Sequence, residues 1–335
     1  MLVNFDAARM AEQYTALSYC WGSEDEIKAR QNLQTTSTTY TSMVAGIPIS
    51  ALPLTLRQAV WVTHCLDISY ICIDALCIIQ DDRSDWTTEA AKMAAVYTMS
   101  ALTIIAASST SCHSGFFPTQ LDAFSTQVQT SLPPTISLHA TKHAPGRGGF
   151  HDYPSSDPIG TRGWTYQEEY LSTRYLRFTA ADVQWKCHAG ATCLCSGEPP
   201  HMWYTAEWAM FDWLFSVLNI SRRHFTNETD KLPSLSGLAT RFAAELRERR
   251  EPPSAYVAGL WEAGNRNIQD LEWCVEDWNS DSDRDSALFC CGPGPCPETY
   301  IAPSFVWASV NNPIDYRRAG CDERQKLSEV IQVHA

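Results

Sequence analysis

No stretch of this chain keeps together the roughly 18 apolar residues that a helix needs to cross a bilayer. The strongest candidate, the run ending at Ile79, is cut by Asp74. A membrane span is therefore not expected. Nor is a secretory signal, because the opening MLVNFDAARMAEQY has no charged lead followed by an apolar block. Positive charge is also scarce: 25 Lys and Arg face 38 Asp and Glu, for a formal net charge of −13. Such a surface repels phosphate backbones and anionic lipid, so nucleic acid is excluded as a partner and a cytoplasmic location is expected. Internal repeats are lacking, and so are the C-x2-C pairs of structural zinc sites. The 13 cysteines instead scatter through apolar contexts such as Cys65, Cys72 and Cys77, where a free thiol behaves as a small hydrophobe. Two denser groups, Cys187, His188, Cys193 and Cys195, then Cys290, Cys291 and Cys296, lack metal-site spacing, so no metal is expected at either.

What is present is enough apolar sequence for a full core. With 335 residues, 44% of them hydrophobic, the chain has room for about two domains. The first strand candidate is Tyr14 to Trp21, closed by Gly22. Leu52-Pro53 opens a helix with Leu56, Ala59, Val60 and Thr63 at helical spacing. An apolar run of strand length follows from Tyr70 towards Ile79. Ser84 or Asp85 is placed to cap a second helix with an inner stripe of Trp86, Glu89 or Ala90, Met93, Val96 and Tyr97, and Ala101 to Ala107 reads as a third strand. Strand, helix, strand, helix, strand with short connections predicts a three-layer α/β fold, a mostly parallel sheet with helices on both faces. Residues 112–156 turn to Ser, Thr, Pro and Gly and read as loops. The α/β domain is expected over 1–190. A mixed α+β extension is expected over 191–335, with helices near 202–215 and 238–249, an apolar segment at 256–261 and a strand at 300–310.

Within the run YICIDALCIIQDD, Asp74 stands where a buried strand should carry no charge. An unpaired buried carboxylate costs several kcal/mol or shifts its pKa until it is neutral. Asp74 therefore calls for a partner or a task. Gln80, Asp81 and Asp82 follow at the carboxyl end of the strand, where open α/β sheets place ligands. Glu89 leans towards the apolar face of its helix. Gly22 either lets a ligand approach the backbone or permits a turn. In RGWTYQEE, Arg162 offers a planar fork for phosphate or carboxylate, Trp164 and Tyr166 offer stacking faces, and Gln167 and Glu168 offer polar contacts. The competing reading pairs Arg162 with Asp74 or Glu168 as a structural ion pair. Asp81 and Asp82 read as a helix cap before they read as a Mg²⁺ site. Cys77 or Cys20 as a nucleophile lacks a neighbouring His, and His64 reads as partly buried.

Five ordered blocks, YTALSYCWG at 14–22, LPLTLRQAV at 52–60, YICIDALCIIQDDRSDW at 70–86, EAAKMAAVY at 89–97 and RGWTYQEEYLSTRYLRF at 162–178, resemble the heterokaryon-incompatibility (HET) domain family of filamentous fungi. DKLPSLSGLA at 230–239, YVAGLW at 256–261 and IAPSFVWASV at 301–310 resemble segments that follow the domain. Cys72 departs from the family, which usually has Trp there, and Phe305-Val306 stands where Trp-Ser is usual. The resemblance implies a role in programmed cell death when unlike cells fuse, and a distant likeness to Toll/interleukin-receptor domains, some of which hydrolyse NAD. On that reading NAD is a substrate rather than a cofactor, and Asp74, Glu89 and Glu168 are the candidate catalytic carboxylates. Trp21, Gly22, Cys77, Gln80, Asp81, Arg162, Trp164, Tyr166 and Gln167 are then candidate substrate contacts. Two alternatives stay open. One is a small-molecule tailoring enzyme (cyclase, isomerase or dehydratase) of a fungal biosynthetic pathway, working by carboxylate acid/base catalysis. The other is a non-catalytic interaction module. A small-molecule ligand and self-association are the expected partnerships.

Overall fold

The computed structural model describes residues 2, 12–23, 33–117, 157–180, 183–187 and 209–248, with the short strands at 125–127, 139–141, 190–193, 256–257, 260–261, 271–275 and 314–318. The chain divides into two compact units, Met1–Trp203 and Tyr204–Ala335.

The first unit is built on a six-stranded sheet. Its strands are β1 (Tyr14–Ser18), β2 (Tyr70–Cys72), β3 (Leu102–Ile105), β6 (Tyr175–Phe178), β7 (Val183–Cys187) and β8 (Gly190–Cys193), in the order β2-β1-β3-β6-β7-β8. Strands β2, β1, β3 and β6 run parallel, and β7 and β8 return antiparallel. A separate ribbon pairs β4 (Ser125–Gln127) with β5 (His139–Thr141). The helices are α1 (Tyr40–Ala45), α2 (Leu54–Cys65), the single turn α3 (Asp74–Cys77), α4 (Arg83–Met99) and α5 (Gly163–Leu171). This is the mostly parallel α/β architecture expected.

Alternation along the strands sorts the core into two layers. Leu17, Tyr19, Ile104, Ala106 and Phe178 point to one face and pack with Leu56, Ala59 and Val62 of α2. On the other face, Tyr14 donates to the Val96 carbonyl of α4 (2.7 Å), Ser172 donates to Thr103 (2.6 Å), and Ile105 and Tyr175 pack with Cys20 and Ile159. The second layer is the more polar one. Arg177 of β6 lies buried in it, held by both carboxylate oxygens of Glu169 on α5 (2.9 Å each) and by Asp157 (3.0 Å). Because β2 follows β1 on one side and β3 lies on the other, the winding reverses between β1 and β3. The crevice at their carboxyl ends is where such sheets bind ligands.

Two sequence expectations need correction. The run from Tyr70 is not one strand to Ile79. Pairing stops at Cys72, and the chain turns into α3 at Asp74, with the Cys77 N–H bonded to the Ile73 carbonyl at 2.8 Å. Asp74 thus sits at a strand end, half-buried, and not inside a buried strand. The cap of α4 is Asp82, whose carboxylate accepts from the N–H groups of Ser84 and Asp85 (2.8 and 3.2 Å), and not Ser84 or Asp85.

In the second unit, α6 (Ala209–Ser221) and α7 (Pro233–Glu248) pack through Trp213 and Phe242, with ring centroids 5.6 Å apart, over buried Val217, Ile220, Leu235 and Leu238. Helix α6 runs on past Phe215, where its end was expected, and α7 starts before Leu238. The segment at 256–261 forms an antiparallel pair, β9 (Tyr256–Val257) with β10 (Leu260–Trp261), and β11 (Leu271–Val275) pairs with β12 (Ile314–Arg318). The strand expected at 300–310 and the group Cys290, Cys291 and Cys296 lie outside the described residues. No helix among the described residues is long and apolar enough to cross a membrane.

Candidate functional site

At the carboxyl edge of the parallel strands, two carboxyl groups meet in one electrostatic neighbourhood. Asp74 is delivered by the β2–α3 turn. Its Oδ2 accepts from the Trp21 indole N–H at 2.8 Å and its Oδ1 from the Ala75 N–H at 2.7 Å, which fixes both oxygens. Trp21 stands just beyond β1, followed by Gly22 at φ +105°, a backbone conformation that side-chain-bearing residues rarely adopt. That conformation accounts for a glycine at this position. Gln80 closes the loop behind Asp74, donating from its amide to the Asp74 and Ile78 carbonyls at 3.1 Å each.

Glu168 comes from the inner face of α5 and is only 5% exposed. Burial raises its carboxyl pKa from the usual 4.5 to about 7, with the nearby Asp74 charge pushing the same way, while Ser18, Tyr97 and the Arg162 guanidinium hold it down. Such a group is shared between protonated and ionised forms at neutral pH. The buried Ser18 hydroxyl faces it but falls outside good hydrogen-bond geometry. The single phenol proton of Tyr97 has two acceptors, the Leu17 carbonyl at 3.1 Å and the Glu168 carboxylate. Burial, first, and then the Glu168 and Asp74 charges drive the Tyr97 pKa well above its ordinary value, so it remains a neutral donor.

The other candidates divide into those at the edge and those beneath it. Arg162 and Trp164 open α5 and are half-buried, and Trp164 meets Trp86 of α4 edge to face at 6.5 Å. Tyr166 and Gln167 are buried, and Tyr166 stacks on Tyr170 at 5.9 Å, so neither presents a free stacking or polar face. Glu89 is half-buried on α4 and pairs with Lys92 at 2.7 Å. Asp81 is exposed and committed to Ser37, accepting from its N–H (2.7 Å) and hydroxyl (2.6 Å), bonds that lower its pKa. That pairing ties down the loop before α1. Cys77 is exposed, Cys20 is buried, and His64 is exposed rather than partly buried. Among the described residues, no group of three His, Cys, Asp or Glu side chains could hold a metal ion.

Sequence reasoning missed Ser18 as a member of the cluster and treated Tyr97 only as core. The available signal was a serine at the end of an otherwise apolar first strand. Its partners come from helices that the sequence alone does not place.

Residues 14–168 match the family model described as Heterokaryon incompatibility protein (HET), a span that begins with β1 and ends on Glu168. No curated protein and no solved structure matches the chain.

Proposed function

Residues 14–168 of this chain belong to the heterokaryon-incompatibility family, and from that premise we propose an incompatibility effector whose carboxyl-edge cluster hydrolyses a nucleotide-type small molecule, with NAD the first candidate. The observation that carries the proposal is the buried Glu168 carboxyl, raised to about 7 beside a second carboxyl on Asp74. Two carboxyl groups whose surroundings separate their protonation are a recurrent arrangement for acid/base work. In cleavage of the nicotinamide–ribose bond, nicotinamide departs with the bonding electron pair and water adds to the anomeric carbon, losing a proton. Asp74, half-exposed and fixed by Trp21, is placed to oppose positive charge developing on the ribose. Glu168 takes or holds the proton, and Arg162 and Trp164 at the start of α5 supply contacts for phosphate and base.

Incubation of the purified chain with NAD, scored by nicotinamide release, tests this reading. Wild type is expected to release nicotinamide, and Glu168→Gln to lose about a hundredfold or more while keeping its fold. No release by wild type at high enzyme concentration sinks NAD as the substrate.

A second reading, a non-catalytic interaction module, has one observation in its favour. Tyr166, Gln167 and Glu168 are all buried, as residues that only fasten α5 to the sheet would be. Equal release by wild type and a folded Glu168→Gln variant would remove Glu168 from the chemistry, whereas release by neither favours the module.

A further inference from the structure

The single turn α3, which delivers Asp74, is only four residues long and too short to hold its own shape in water. The last carbonyls of any helix also need partners from outside it. Here the donors that would continue the ladder are diverted: the Ile79 N–H goes to Asp85 Oδ2 at 2.8 Å and the Gln80 N–H to the Thr35 carbonyl at 2.8 Å. The carbonyls of Ala75 and Leu76 are thereby left over. Both are taken up by one residue, Thr35, whose N–H donates to Ala75 at 3.1 Å and whose hydroxyl donates to Leu76 at 2.6 Å. Thr35 is 1% exposed, and its N–H, hydroxyl and carbonyl are all committed to residues 75–80. Its own backbone is braced by the turn into α1, where the Thr36 N–H donates to the Thr39 hydroxyl oxygen at 2.8 Å and the Tyr40 N–H to the Thr36 carbonyl at 2.9 Å. Two residues on, Ser37 holds Asp81 and fastens the outer end of the same contact.

We propose that Thr35 is a positioning residue for Asp74, acting through the α3 turn without touching the reacting atoms. Asp74 Oδ1 accepts from the Ala75 N–H, and the carbonyl of that same Ala75 is the one that Thr35 holds. The Asp74 carbonyl accepts from the Gln80 amide at 3.1 Å, and Gln80 is itself held through its N–H by Thr35. The carboxylate is thus aimed from two sides, by the Trp21 indole at Oδ2 and by the backbone that Thr35 fixes beneath Oδ1. Loss of the Thr35 hydroxyl takes that donor from the Leu76 carbonyl, lets the turn shift and moves Oδ2 against Trp21. The catalytic consequence rests on the hydrolase reading, whereas the effect on the Asp74 contact does not.

Hydrogen exchange of the Trp21 indole N–H in the full chain, assigned by its absence in Trp21→Phe, reads the Asp74 contact without any substrate. Thr35→Val keeps the side-chain shape and the backbone bonds and removes the hydroxyl. It is expected to speed that exchange roughly tenfold, the scale of one lost buried hydrogen bond. The Ala106 N–H, which donates to the Ser18 carbonyl at 2.9 Å, reports the sheet and is expected to speed up less. Thr35→Ser, which restores the hydroxyl, is expected to return the indole to near its wild-type rate. Where wild type releases nicotinamide from NAD, Thr35→Val is expected to lower kcat by about tenfold at unchanged KM. Should Thr35→Val not fold, Asp81→Ala, which unfastens Ser37 at the exposed end of the contact, carries the test, with the indole again expected to outpace Ala106. An indole that exchanges as in wild type, or that speeds up only in step with Ala106, overturns the proposal, as does an unchanged kcat in an active chain. Faster indole exchange in a chain that releases no nicotinamide sinks the hydrolase reading alone and leaves Thr35 as the residue that holds Asp74.

Discussion

Glu168 shows how one side chain acquires a property that its residue type does not predict. An ordinary glutamate is ionised at pH 7, but here burial and the Asp74 charge raise the carboxyl pKa to about 7. The raised value has a consequence for stability. Both folded and unfolded chains hold the proton below pH 4.5, and between there and about 7 the unfolded chain releases it while the folded one keeps it. Stability therefore falls as pH rises through that window, by about 3 kcal/mol from this group. Glu168→Gln is expected to remove that slope, so its urea midpoint should gain on wild type between pH 5 and pH 8. Parallel pH profiles for the two proteins would contradict the assignment. At this scale the sequence was partly legible. Asp74 stands out as a charge in an apolar run, but it opens a helical turn just past a strand rather than interrupting one. Ser18 and Tyr97 carried no such mark, since a hydroxyl in a strand or a helix stripe reads as core until its neighbours are known.

Elements make their own predictions. Helix α4 starts where the Asp82 carboxylate satisfies two backbone N–H groups that would otherwise lack partners. Asp82→Ala is expected to cost about 1 kcal/mol, read as a lowered Tm, with Asp82→Asn costing less. Helix α5 is fastened to the sheet by Arg177, which is 7% exposed and meets Glu169 and Asp157. Removing it leaves two half-buried carboxylates without their cation, so Arg177→Ala is expected to destabilise the first unit by about 3 kcal/mol in urea unfolding. A loss under 1 kcal/mol would mean that α5 is held by its apolar contacts alone. The helix at Leu54–Cys65 was readable from its spacing, with Leu56, Ala59 and Thr63 all buried. The boundary inside YICIDALC was not, because Ile, Leu and Cys suit a strand and a buried turn equally and periodicity cannot separate such short runs.

For the whole molecule, the winding order explains why residues nearly a hundred positions apart share one site. Asp74 arrives at the end of β2 and Glu168 on the helix before β6, and the reversal between β1 and β3 brings both to the carboxyl edge. Helices alternating with strands made the layered class legible, whereas strand order and the antiparallel β7 and β8 depend on long-range pairing that local pattern does not encode. Since Met1–Trp203 is a compact unit with its own sheet and core, a fragment of those residues is expected to unfold cooperatively by circular dichroism; a broad, featureless transition would count against it. The claim that Asp74 and Glu168 act as one electrostatic site is tested most directly by following the Glu168 side-chain carboxyl carbon by NMR in carbon-labelled protein, assigned by its absence in Glu168→Gln. A midpoint near 7 in wild type, moving down in Asp74→Asn, is the predicted result. A midpoint in the ordinary glutamate range, or one unmoved by Asp74→Asn, would contradict it.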